Sequence, residues 1–154
     1  MIRRCRFARG LAFVEDSGAA DCVESVLCPP GKGGRPRQIR FSVFLAAVVI
    51  AAEEEKSLSL VRVHKVLTND LARSYQVSLS VISSRRDRTQ HVLTIRQVRY
   101  MLEALERKLA FTQGRVPDLS DVDRATRESA LWNIFDMLTG ATIPVHLPAP
   151  ASYA

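Results

Sequence analysis

Cysteine is scarce in this chain and forms no pattern. Cys5, Cys22 and Cys28 are an odd number with no Cys-x-x-Cys pair, which reads as free thiols in a reducing cytoplasm. The three histidines, His64, His91 and His146, show no spacing that would join them in a zinc site. Long hydrophobic runs are missing too. The most apolar stretch, residues 41–52, is about 12 residues long, whereas a membrane helix needs about 20. The start, Met1-Ile2-Arg3-Arg4-Cys5-Arg6, is followed by an apolar run of only residues 11–14 before Glu15 and Asp16, too short for a secretory signal. These absences predict a soluble, cytoplasmic protein. Aromatic residues make up only 6% of the chain, and the scattered Tyr75 and Tyr100 do not form a base-stacking platform.

Catalytic patterns are lacking as well. There is no Gly-x-Ser-x-Gly elbow and no Cys/His pairing. Residues 31–34 lack the order of a phosphate-binding loop, and no strand precedes them. Asp118, Asp121 and Asp123 lack the glycine and closing glutamate of a calcium loop. The adjacent Glu53, Glu54 and Glu55 would point about 100° apart on a helix and would not converge on one atom. No enzyme activity and no cofactor are expected from these residues.

What the chain has is positive charge, unevenly placed. Its 154 residues suffice for one domain with a working core. The formal charge is +6, with 17 Lys+Arg against 9 Asp+Glu in residues 1–100 and 5 against 7 in residues 101–154. The first part is thus about +8 and the second −2, which favours a polyanionic partner for the first. Residues 31–40 concentrate this charge: Lys32, Arg35, Arg37 and Arg40 lie among glycines and a proline, with no acid. Gly34-Arg35-Pro36-Arg37 matches the core of an AT-hook, in which an extended Gly-Arg-Pro sets arginine in a narrow minor groove. Gly33 stands where a hook has a basic residue. The same stretch also fits an arm on phosphates, or a flexible linker with solvated charges.

The apolar spacing predicts an all-α fold, a compact bundle of five or six helices with a basic extended arm and a proline-rich C-terminal tail. Residues 1–30 are expected to be a basic irregular tail (residues 1–14) and a short helix capped by Asp16 or Ser17, with Val23, Val26 and Leu27 inward. Residues 31–140 form the helical domain. Residues 41–55 are apolar nearly all round, which marks a central helix. The β-branched Val43, Val48, Val49 and Ile50 make a strand the rival reading, but length and the alanines favour helix. A helix over residues 59–68, capped by Ser57 or Ser59, turns Leu60, Val63 and Leu67 inward and leaves Arg62 and Lys65 outward or at the edge. A turn at Asn69-Asp70 and a short helix over residues 71–75 then permit a helix-turn-helix. Residues 77–82 read as a short strand or linker, and residues 83–91 as a polar basic loop. Thr94 with Gln97 three residues on is a capping box. It opens a helix to about Phe111 that carries Ile95, Val98, Met101 or Leu102, Leu105 and Leu109 inward, with Arg96 and Arg99 on its outer side. Ser120 caps a last helix to about Thr139, with Val122, Ala125, Leu131, Ile134, Phe135 and Leu138 on its inner face and Gly140 ending it. Trp132 lies beside that face, as core or docking contact. Residues 141–154 read as an extended linker or tail.

The order of segments is distinctive. Gly34-Arg35-Pro36-Arg37-Gln38-Ile39, an alanine-rich helix, Leu58-Ser59-Leu60-Val61-Arg62-Val63-His64-Lys65-Val66-Leu67 and Leu93-Thr94-Ile95-Arg96-Gln97-Val98 follow one another. This resembles the N-terminal region of bacterial insertion-sequence transposases of the DDE, RNase H-like class, with Val61 in place of a common threonine. The likeness covers residues 34–110 and extends loosely to the last helix. It implies a region that binds element-end DNA or assembles the complex ahead of a catalytic domain. It also implies that the first catalytic aspartate would follow a segment like residues 151–154, so the chain is expected to be a truncated product or a fragment. No catalytic carboxylate carries over, and magnesium is expected only for the missing domain. Expected partners are double-stranded DNA, and a second protomer or the downstream domain. The expected contacts are Lys32, Arg35, Arg37, Arg40, Arg62, Lys65, Arg96 and Arg99. A helical interaction module is the rival expectation.

Overall fold

A computed structural model describes residues 4–28, 37–54, 59–84, 90–112 and 114–146, and the side chains of that last segment as far as residue 140. The chain is mostly helical. Seven α-helices and one two-stranded sheet are present among the described residues: α1 (Arg4–Asp16), α2 (Ala19–Leu27), α3 (Phe41–Glu54), α4 (Leu60–Thr68), α5 (Arg73–Ser78), β1 (Ile82–Ser84), β2 (Gln90–Val92), α6 (Ile95–Leu109) and α7 (Asp121–His146).

The core is built around α3, as its all-round apolar composition predicts. Phe41, Val43, Phe44, Ala46, Ala47, Ile50 and Ala51 are buried, and α1, α2 and α4 pack against this helix. A helix surrounded on several sides cannot keep a polar face, which is why its apolar residues show no single stripe.

The expectation of an irregular N-terminal tail is overturned by α1. Phe7 and Val14 are fully buried, and Leu11 packs on the same cluster. Their i, i+4, i+7 spacing is helical, but Arg4 and Arg6 just ahead of them and Arg9 between them obscure it. Arg6, from the same helix, reaches Glu53 at 2.9 Å and Glu54 at 2.8 Å. It thereby supplies positive charge at the end of α3, where the helix dipole disfavours acids. Those hydrogen bonds, chiefly the one to Glu53, raise the Arg6 pKa above its ordinary value. The turn into α2 needs a left-handed residue, and Gly18 supplies it at φ 76°. Ser17 assists one position earlier than the cap, its Oγ accepting from the Ala19 amide at 3.2 Å.

Ser59 caps α4, its hydroxyl accepting from the Arg62 amide at 3.1 Å. Val63 and Leu67 face inward as expected and Val66 joins them, while Leu60 is only partly covered. The short helix expected over residues 71–75 begins later and takes in residues 73–78, so Val77 and Ser78 are helical rather than extended. Ser80 then reverses the chain at φ 61°. The stretch expected to be a loop over residues 83–91 is partly paired. Ile82, Ser83 and Ser84 face Val92, His91 and Gln90 in an antiparallel hairpin. Three-residue strands are too short for alternation to register in the sequence.

The capping box opens α6 as expected, with the Thr94 amide donating to Gln97 Oε1 at 2.8 Å and the Gln97 amide to Thr94 Oγ1 at 3.3 Å. Val98, Met101 and Leu109 are buried, and the helix stops at Leu109 rather than Phe111. Ser120 caps α7, accepting from the Asp123 amide at 3.1 Å. That helix passes Gly140 and runs to His146, which corrects the expected stop and the extended reading of residues 141–146. A helical glycine costs only about 1 kcal/mol and does not compel an ending. Residues 147–154 of the expected tail lie outside the described residues.

The inner face expected of α7 is largely uncovered. Ile134 is buried and Ala130 and Leu138 are packed on the core, but Val122, Leu131 and Phe135 are exposed, as are Trp132 and Met137. The helix is anchored at its start by arginines instead. Arg124 donates to the carbonyls of Phe111 at 2.9 Å and of Val116 and Pro117 at 3.1 Å, and Arg127 donates to that of Ala110 at 3.0 Å. No helix among the described residues is long and apolar enough to cross a membrane.

Candidate nucleic-acid interface

Gln38 gathers the basic elements. It follows Arg37 at the end of the basic arm, and its side-chain amide donates to the Val81 carbonyl at 2.9 Å and the His91 carbonyl at 3.4 Å. Its side-chain oxygen accepts from Gln97 Nε2 at 2.9 Å. One residue therefore ties the arm's end to both sides of the hairpin and to the first turn of α6. His64 adds a second tie: its Nε2 lies 2.9 Å from the Leu93 carbonyl, which joins α4 to the residue ahead of the α6 cap. Arg73 of α5 donates to the Gln90 side chain on β2. The arm's end, α4, α5, the hairpin and α6 thus meet in one neighbourhood, and none of these ties uses an acid.

The expected contact residues divide into distinct environments. Lys65, Arg96 and Arg99 are exposed, and they make no ion pair among the described residues. Arg96 and Arg99 stand three positions apart, on the side of α6 away from Val98, Met101 and Leu109. Arg40 is 70% exposed and lies 3.3 Å from Glu15. Lys32 and Arg35 lie outside the described residues.

Two arginines are engaged within the fold. Arg37 stacks over the Phe41 ring at 4.3 Å, pairs with Glu24 at 3.1 Å and donates to Cys28 Sγ at 3.3 Å. This folds it back onto α2 and α3 instead of splaying it outward. Arg62 bridges Glu54 and Asp70, the latter at 2.6 Å, with only 15% of its side chain exposed. Its pKa is raised, first by the hydrogen bond to Glu54, with Asp70 contributing and burial opposing. The helical wheel places Arg62 outward or at the edge, and α3 and the turn after α4 bring carboxylates to it.

The α4–α5 connection is locked by a residue that sequence reasoning missed. Gln76 is buried, and its Nε2 donates to the carbonyls of Thr68 at 2.7 Å and Leu71 at 2.9 Å. Behind α5, the Tyr75 ring meets Phe7 edge-on at 6.0 Å, with Arg4 over it at 5.2 Å. A glutamine within a short helical segment carries no sequence signal of such burial.

Elsewhere, an open groove of about 700 Å³ lies between α6 and the start of α7. Its arginines are occupied: Arg115 pairs with Glu106 at 2.6 Å, Arg127 holds the Ala110 carbonyl, and Arg107 lies over Tyr100 at 5.5 Å. Among the described residues no group of three or more His, Cys, Asp or Glu side chains could hold a metal ion.

No protein-family model, no curated protein and no solved structure matches this chain.

Proposed function

We propose that this chain binds double-stranded DNA as the N-terminal region of a DDE-class transposase. It would bind element ends in the cytoplasm and carry no catalysis of its own. The observation that carries the DNA reading is the Gln38 junction, which joins the end of the basic arm to the hairpin and to the helix bearing Arg96 and Arg99. Lys65, Arg96 and Arg99 would neutralise phosphates and release counterions, and Arg40 would add to them on exchanging Glu15 for phosphate. Arg35 would extend the contact into the minor groove, and Lys32 would add a phosphate contact. Arg37 and Arg62 contribute to the fold and shape this surface from within. The transposase assignment rests on the ordered motifs of residues 34–110; the geometry supports the narrower DNA-binding reading.

Titrating binding to a duplex against salt tests this. Log K should fall linearly with log salt, and Lys65→Ala/Arg96→Ala/Arg99→Ala should make the slope shallower by roughly 1 for each contact removed. Absence of binding even at low salt would remove the proposal.

A second reading, self-association, is favoured by one observation: Leu131, Trp132 and Phe135 lie exposed on α7. A second copy seated there would bury them. Sedimentation that varies with concentration, persists in high salt and is lost in Trp132→Glu would support it.

A further inference from the structure

Resting on the reading of the chain as a DNA-binding domain, we infer that α5 is the element that reads base sequence, through Arg73, Ser74, Val77 and Ser78. These four side chains are exposed, whereas Gln76 is buried and Tyr75 is half-covered. Their i, i+1, i+4, i+5 spacing places them on one helical face.

The helix behind this face is held firmly. Gln76 ties it to the end of α4 and the turn by two hydrogen bonds, the Val81 amide returns to the Gln76 carbonyl at 2.9 Å, and Tyr75 packs on Phe7 of α1. A reading element must be fixed in this way, because a base contact discriminates only if its donor cannot move to suit the wrong base.

The chemistry of the face suits base edges. Hydroxyls can donate or accept, valine methyls can pack on a thymine methyl, and arginine can bond guanine in a bidentate manner. Val77 is 53% exposed, so its apolar side chain serves no core. No residue of α5 is acidic, and Asp70 in the preceding turn is bound to Arg62. Six residues rise about 9 Å, a length that the major groove, about 12 Å wide, accepts. α4, the first helix of the pair, places Lys65 at its last turn, where it can meet the backbone as the first helix of a helix-turn-helix does. Arg73 is held by Gln90, so the hairpin aims the one cation of the face.

The test is selection from a random duplex pool with the full chain, followed by competition between the selected duplex and a scrambled one at fixed salt. The wild type should prefer the selected duplex. Ser74→Ala/Val77→Ala/Ser78→Ala should lose about 10- to 100-fold of that preference while its salt slope stays unchanged. Lys65→Ala/Arg96→Ala/Arg99→Ala should weaken both duplexes alike. Ser74→Ala alone, with a smaller loss, serves if the triple variant melts abnormally by circular dichroism. Selection that yields no preferred sequence, or an α5 variant that keeps its preference, overturns this inference and leaves DNA binding standing. No binding to any duplex overturns both.

Discussion

The side-chain amide of Gln97 donates to the side-chain oxygen of Gln38 at 2.9 Å, while Gln97 Oε1 accepts from the Thr94 amide at 2.8 Å. The residue that completes the α6 capping box therefore also receives the arm. The two roles use different atoms, so they can be separated.

Gln97→Ala should remove both and cost about 1 kcal/mol, read as a lowered urea midpoint. Gln97→Glu keeps the acceptor for Thr94 and loses the donor to Gln38, so it should retain most of that stability. In DNA binding it should fall below Gln97→Ala, because it also adds a negative charge beside Arg96. Equal stability of the two variants would show that the side-chain half of the box contributes nothing measurable.

Arg62→Ala should behave as a folding variant rather than a phosphate contact. It leaves Glu54 and Asp70 together without their shared cation, a loss of about 2–3 kcal/mol for a partly buried pair. Because the folded pKa of Arg62 is raised, its contribution is fully present below the ordinary arginine value and fades only above it, outside the usual range of measurement. Unfolding should show the loss at neutral pH, with the salt slope of DNA binding unchanged. A shallower slope with native stability would reverse the assignment.

Phe7→Ala should be severe, about 3–5 kcal/mol, since the ring is fully buried. It should also loosen α5 through Tyr75, visible as faster amide exchange at Tyr75 and Gln76 than at the α6 cap. A near-native melting temperature would mean that α1 is dispensable.

Trp132 is the single tryptophan and is 56% exposed. Its fluorescence should be accessible to acrylamide in dilute native protein, and Trp132→Glu should change stability by less than about 0.5 kcal/mol. Protection from quencher that grows with protein concentration would locate the self-association surface on α7.

Local rules and long-range pairing were unequally legible in the sequence. Ser59, the Thr94–Gln97 box and the all-apolar α3 act within one turn or one helix, so their spacing sufficed. Phe7, Leu11 and Val14 follow the same rule, but Arg4 and Arg6 ahead of them and Arg9 between them made α1 resemble a solvated tail. At the candidate interface, Lys65, Arg96 and Arg99 lie exposed as the helical wheel suggested. Arg62 and Arg37 do not, because Glu54, Asp70 and Glu24 reach them from other segments and pairing across a fold leaves no periodic trace. The Gln38 junction and the Gln76 lock were invisible for the same reason: outside a helix cap a neutral amide follows no spacing rule, and only the fold brings carbonyls to them.

The inward turn of Arg124 and Arg127 has an electrostatic consequence. With both spent on loop carbonyls, the exposed ionisable side chains described on α7 are Asp121, Asp123, Glu128 and Asp136, all acidic. A guanidinium bound to a neutral carbonyl keeps its charge, so the described side chains of α7 come to −2 with Arg124 and Arg127 counted. Lys65, Arg73, Arg96 and Arg99 stand exposed on other elements. Near a polyanion these cations would be drawn in while the acids of α7 would be held off. Much of the docking orientation would then be set during diffusion, and salt would slow association before it loosened the final contacts.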